Sequence, residues 1–154
     1  MKKLVGILLL ILSFAAFGAT QKAPDFKAVD QYNVEQSIEK YKGKFIVLTF
    51  WATWCPACQK ELGGLDNLYK KYGENKKDVV FLGVANEDMD IVKNFLQKRN
   101  YSYPSVQSED AFRKFFVRAF PTTYMIDKDG NISNFLMGAI PEDSLDKYIQ
   151  IELQ

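Results

Sequence analysis

The chain has 154 residues, 47% apolar and 25% charged, with no low-complexity tract, so one packed domain is expected and a disordered chain is excluded. Its formal charge is +1, and removing Lys2 and Lys3 would make it +1 − 2 = −1; neither value favours nucleic acid or anionic lipid as a partner. Histidine is absent, which removes the commonest transition-metal ligand and the usual general base.

Lys2 and Lys3 precede an apolar run from Leu4 to Leu12 that continues past Ser13 through Ala19, the layout of an export signal. Ala16 and Gly18 place small residues where a signal peptidase reads, so residues 1–18 are read as a signal peptide and 19–154 as the folded domain. The alternative is an uncleaved membrane anchor, for which the run is short against a hydrocarbon core of about 30 Å. No cysteine directly follows the run to carry a lipid. On either reading the domain is expected to work outside the cytoplasm, in a periplasm or at the extracytoplasmic face of the membrane, where disulfides persist.

After a polar connector from Thr20 to about Asp25, strands and helices alternate. Lys44–Phe50 is a nearly continuous apolar run rich in β-branched and aromatic residues, as in a strand buried on both faces. Leu62, Leu65, Leu68, Tyr69 and Tyr72 then recur at helical spacing, with Gly73 as the stop. Val79–Ala85 is a second buried strand. Asn86-Glu87-Asp88 leads into a helix with Ile91, Val92, Phe95 and Leu96 on one side, ending near Asn100. A short extended piece spans Tyr103–Val106, and a helix is expected from about Asp110 to Phe116. Thr122–Asp127 and Ile132–Met137 flank an Asp129-Gly130 turn and form a hairpin. From Pro141, expected in the first helical turn, Leu145, Tyr148, Ile149 and Leu153 define a closing amphipathic helix. The order predicts an α/β domain with a mixed sheet covered by helices, and no internal repeat.

The only cysteines, Cys55 and Cys58, fall where the first buried strand gives way to its helix. Pro56 suits the first helical position, since it has no amide hydrogen to leave unpaired. The unpaired amides of a helix start stabilise a thiolate, which makes Cys55 the more acidic and nucleophilic sulfur. Cys58 lies one turn along, with Cα atoms roughly 5 to 6 Å apart, within disulfide range. A structural staple enclosing only Pro56 and Ala57 would constrain little of the unfolded chain. A zinc or copper site lacks two further ligands of the usual type within one chain. A reversible dithiol is the favoured reading, with a vestigial pair in a binding module as its alternative.

Phe50-Trp51-Ala52-Thr53-Trp54-Cys55-Pro56-Ala57-Cys58 resembles the active-site segment of thioredoxin-like proteins, and the wider pattern resembles the exported TlpA/ResA type of thiol-disulfide oxidoreductase. Lys42-Gly43-Lys44, Phe120-Pro121-Thr122-Thr123-Tyr124-Met125-Ile126-Asp127, Asp129-Gly130 and Gly138-Ala139 agree with it, so the likeness runs from about residue 24 to the end. It implies a thioredoxin fold with an N-terminal extension and a central βα insertion. It also implies a cis Phe120–Pro121 bond whose backbone faces the disulfide and pairs with a bound substrate strand; without the resemblance, a trans strand-entry proline is the ordinary expectation. Trp54, Phe120 and Pro121 would form an exposed apolar rim for a peptide. Cytoplasmic thioredoxins carry a buried aspartate where this chain has Thr49. Glu61, three residues after Cys58, matches a glutamate that serves ResA-like proteins as proton acceptor; its alternative is a solvated helix residue. Pro56-Ala57 reverses the family's order, which places proline second, so no redox potential carries over.

The resemblance implies exchange with extracytoplasmic protein thiols and disulfides, more in the sense of a reductant, with recharging by a membrane thiol donor of the DsbD/CcdA type. Apocytochrome c or a repair reductase for methionine sulfoxide would be the client. The chemistry calls for no organic cofactor and no metal, the chain is expected to act as a monomer, and contact with the membrane requires an uncleaved N-terminal segment. Two rivals fit less well. A peroxiredoxin needs a threonine or serine and a proline where Ala52 and Leu48 stand, and a copper-delivery protein of this fold needs a histidine.

Overall fold

The computed structural model describes residues 21–154. The expected signal peptide or anchor at 1–18 lies outside the described residues. Among those described, no helix is long and apolar enough to cross a membrane.

The first strands of the described residues are short, β1 (Lys27–Val29) and β2 (Glu35–Ser37), paired antiparallel and followed by a 3₁₀ turn at Glu39–Tyr41. Neither strand was anticipated from the sequence: each has three residues and no apolar alternation. Asp30 holds this hairpin. Its Oδ1 accepts the N–H groups of Tyr32 (2.8 Å) and Val34 (2.9 Å), and its Oδ2 accepts from Gln36 Nε2 (2.8 Å). The expected connector is likewise part of the fold, because Lys22 bridges to Asn131 and Ala23 N–H donates to the Gly130 carbonyl (2.9 Å).

The main sheet follows in β3 (Phe45–Phe50), β4 (Val79–Ala85), β5 (Ser105–Gln107), β6 (Thr122–Ile126) and β7 (Ile132–Met137), in spatial order β5-β4-β3-β6-β7. The β3–β4 and β4–β5 pairs are parallel, and the β3–β6 and β6–β7 pairs antiparallel. This is the mixed sheet of a thioredoxin fold, and β3 is its centre, buried at every residue as a strand covered on both faces must be. Alternation along β3 divides two cores. Phe45 and Val47 join Leu62, Leu65 and Leu68 of α1 (Pro56–Lys71), Val92 and Leu96 of α2 (Met89–Lys98), and Leu145 and Ile149 of α4 (Glu142–Glu152). Ile46, Leu48 and Phe50 join Phe26, Ile38 and Tyr41, with Ala111 of α3 (Glu109–Lys114) and its C-cap Phe115.

Two helix ends differ from expectation. Pro141 is the N-cap of α4 rather than part of its first turn, because its ψ of 140° is extended. Helix α3 stops at Lys114, since Phe116 turns left-handed with φ of 52° and cannot continue it. Between β4 and the β6–β7 hairpin stand α2, β5 and α3, and the βα pair in excess of one connecting helix is the expected central insertion.

Candidate active site

The end of β3 delivers residues 51–55 to the N-terminus of α1. Cys55 is the N-cap and Pro56 the first helical residue. The two cysteines form a disulfide with Cα atoms 5.2 Å apart. The backbone N–H of Cys58 donates to Cys55 Sγ at 3.1 Å, so a helix-start amide points at this sulfur. Cys55 keeps 4% of its surface and Cys58 none, so neither sulfur stands on open surface and the disulfide is approached from the Cys55 side.

One turn beyond Cys58 on α1, Glu61 is buried. It is not a solvated helix residue. The Thr123 hydroxyl donates to Glu61 Oε1 at 3.4 Å, and Oε2 has no hydrogen-bond partner among the described residues. Thr123 is in turn 3.0 Å from the hydroxyl of Thr49, its direct partner across the β3–β6 ladder. Burial pushes the Glu61 carboxyl up to about 7, with the Thr123 hydroxyl and the Ile140 backbone opposing the rise. A carboxyl titrating there can take or give a proton at neutral pH.

A second carboxylate holds the approach to the disulfide. Glu87, just after β4, accepts the backbone N–H of Thr53 on Oε2 and the Thr53 hydroxyl on Oε1, both at 2.6 Å. The Thr53 carbonyl accepts from Gln59 Nε2 (2.7 Å), whose Oε1 accepts from Arg99 (3.1 Å). The segment between β3 and α1 is therefore fixed to β4 and to the end of α2.

Across the site, Phe120–Pro121 is a cis peptide bond. The Pro121 carbonyl accepts from Gly138 N–H (2.8 Å), and the Thr122 hydroxyl donates to the Ala119 carbonyl (2.8 Å). Phe120 differs from both neighbours, for its N–H and C=O have no partner among the described residues. The Trp54 ring is 65% exposed and packs edge to face on Phe120 at 5.7 Å. Phe120 is half-buried and Pro121 buried, so the expected three-residue exposed rim reduces to Trp54 and the edge of Phe120, with Pro121 beneath them.

Comparison with known proteins agrees with this geometry. The family model described as Redoxin matches residues 18–149. The chain belongs to the Redoxin family. Within it, the chain is a thioredoxin-like thiol-disulfide oxidoreductase of the TlpA/ResA type. It is 30% identical over 132 residues to the thiol-disulfide oxidoreductase ResA of Bacillus thuringiensis subsp. konkukian, covering 84% of this chain and 76% of that protein. The crystal structure of a thiol:disulfide interchange protein of the thioredoxin family from Chlorobium tepidum superposes with a TM-score of 0.80 at 27% identity, over 88% of this chain and 97% of that one. The exposed lipoprotein thioredoxin of Streptococcus pneumoniae gives 0.73 at 26%, over 83% and 99%.

For this redoxin, sequence reasoning brought forward Cys55, Cys58, Glu61, Trp54, Phe120 and Pro121, and all six lie around one end of the sheet. It noted Thr49 only as the place of a missing aspartate. The structure puts the Thr49 hydroxyl into the chain leading to Glu61 through Thr123, a residue that sequence pattern gives only as strand. Glu87 was taken as a helix lead-in; nothing in its spacing links it to Thr53, which is 34 positions away.

Proposed function

We propose that Cys55 and Cys58 exchange electrons with the disulfides of extracytoplasmic proteins, Cys55 acting as nucleophile and Cys58 as resolving thiol. The observation that carries this is the asymmetry of the pair: a helix-start amide donates to Cys55 Sγ, which keeps the only exposure, while Cys58 is sealed beside a buried carboxyl one turn away.

In the reducing direction the Cys55 thiolate attacks a partner disulfide, forming a mixed disulfide and releasing one partner thiolate. Cys58 then gives its proton to the Glu61 carboxylate and attacks Cys55 Sγ. The second partner sulfur leaves as thiolate, and two electrons have passed from this chain to the partner. Trp54 and Phe120 hold the partner segment. The N–H and C=O of Phe120, unpaired among the described residues, are the groups that suit backbone pairing with it, since the Pro121 carbonyl is engaged by Gly138. Pro121 acts from below by shaping the turn.

On this reading residues 1–18 direct export, 19–154 form the working domain, and the domain acts in the periplasm or at the outer face of the membrane. The opening of the sequence and the likeness to an exposed lipoprotein thioredoxin support that placement. The physiological direction is reduction, with recharging by a membrane thiol donor and delivery to an apocytochrome c or a methionine sulfoxide repair enzyme.

Cys58→Ser should accumulate mixed disulfides through Cys55 under mildly reducing conditions, and a redox titration against glutathione reads the direction. Absence of any trapped species with a reducible protein such as insulin would overturn the exchange mechanism. A potential well above that of glutathione would overturn the reducing direction alone.

A further inference from the structure

Helix α3 ends beside the redox rim. Phe115 turns into the core, whereas Phe116, left-handed at φ 52°, projects its ring with 73% exposure. The left-handed turn itself is the ordinary C′ position of a helix cap, with Phe116 N–H donating to the Arg113 carbonyl (3.2 Å) and Val117 N–H to the Phe112 carbonyl (3.1 Å); what packing leaves unexplained is a large aromatic ring that belongs to neither core cluster and stands in solvent. Together with Phe112, Arg113, Val117 and Arg118, it lines an open groove. That groove is continuous with the disulfide's surroundings. Phe112 packs edge to face on Phe120 at 5.6 Å, and Phe120 packs on Trp54, the neighbour of Cys55, at 5.7 Å.

The charge here is selective. Arginine occurs three times in the sequence, and two of the three line this groove. Asp110 serves both Arg113 (3.2 Å) and Lys114 (2.7 Å), while Arg118 is exposed and meets no carboxylate among the described residues. A planar guanidinium beside an exposed ring suits a carboxylate adjacent to an aromatic or apolar side chain.

We infer that this groove docks an extended segment of the partner polypeptide, next to the partner's own disulfide, carrying an acidic residue beside an aromatic one. The inference rests on the proposed exchange with protein disulfides and names which ones are preferred: those flanked by negative charge.

The test uses two disulfide-bridged peptides identical except for an Asp-Phe or a Lys-Phe flank. Each oxidises the reduced protein, followed by tryptophan fluorescence, and each rate is divided by that for the small neutral hydroxyethyl disulfide. The Asp-Phe peptide should be faster by about tenfold at low salt, with the preference shrinking as salt is added. Arg118→Glu should reverse the preference, and Phe116→Ala should lower the relative rate of both peptides. Both side chains are exposed, so neither change threatens folding. Equal relative rates for the two peptides, or a preference that survives Arg118→Glu, would overturn the docking proposal while leaving the exchange mechanism standing. Failure of hydroxyethyl disulfide to oxidise the wild-type protein would instead overturn the mechanism on which it rests.

Discussion

The carboxyl of Glu61 on α1 and the hydroxyl of Thr123 on β6 meet at 3.4 Å in the core, and among the described residues this is the one side-chain hydrogen bond Glu61 makes, its other oxygen having none. A buried carboxyl whose desolvation outweighs its few hydrogen bonds favours its neutral form, and that preference can be read in stability.

Burial raises Glu61 from its ordinary value of 4.5 to about 7. Below the lower value the group is protonated in folded and unfolded chains alike. Between the two, the unfolded chain releases the proton and the folded chain keeps it, so stability falls as pH rises, and above the upper value the full penalty is present. At 1.36 kcal/mol per pK unit the oxidised protein should lose about 3 kcal/mol across this window. Glu61→Gln should flatten that part of the curve. Urea melts of both proteins at closely spaced pH values check it, and parallel curves would sink the assignment.

Thr123→Val should act on Glu61 in a defined direction. The lost hydrogen bond favoured the charged carboxylate, so the Glu61 midpoint should move above about 7. The Thr49 hydroxyl, 3.0 Å from Thr123, would also lose its partner in the core, costing about 1–3 kcal/mol. Thr123→Ser should restore both. Carbon-13 titration of the Glu61 side chain reads the first effect and denaturant unfolding the second.

Glu87→Gln should loosen the segment in front of the disulfide. One amide oxygen cannot replace two charged oxygens that accept from Thr53 at 2.6 Å each, and losing charge-assisted bonds costs about 1.5–3 kcal/mol locally. Hydrogen exchange at the Thr53 amide should quicken, while amides in the centre of β3 stay protected. Unchanged exchange at Thr53 would mean that the clamp contributes nothing to order there.

Asp66 makes a different use of a buried carboxylate. It accepts from Ser102 N–H (2.5 Å), the Ser102 hydroxyl (3.1 Å) and Tyr103 N–H (3.3 Å), and it pairs with Lys70 at 2.6 Å. Asp66→Ala would leave backbone donors without an acceptor at the entry to β5, and should cost about 3 kcal/mol or more. Thermal unfolding should fall by about 6–12 °C. A loss under about 2 °C would show that water replaces the carboxylate at this position.

How far the fold could be read in advance depended on the length of each signal. Val79–Ala85 was legible to the residue because a seven-residue apolar run rich in valine is too short for a buried helix and suits a strand covered on both faces. The β1–β2 hairpin was not, because three-residue strands depend on Asp30 and on Gln31, whose side chain donates to the Tyr103 carbonyl (3.0 Å) and accepts from Ser105 N–H (2.8 Å). Polar anchoring of that kind leaves no periodicity.

The sequence alone determined the strand, the turn and the helix that seat Cys55 and Cys58, together with the cysteine spacing, because those features depend on neighbours within a few residues. Only the tertiary structure decided that Thr49 and Thr123 stand opposite one another, that Thr123 reaches Glu61, and that Glu87 returns to hold Thr53. Those pairs are separated by 74, 62 and 34 positions. They meet because strand pairing and helix packing satisfy apolar burial first, and the polar groups that this burial encloses then find partners among whatever it has brought alongside.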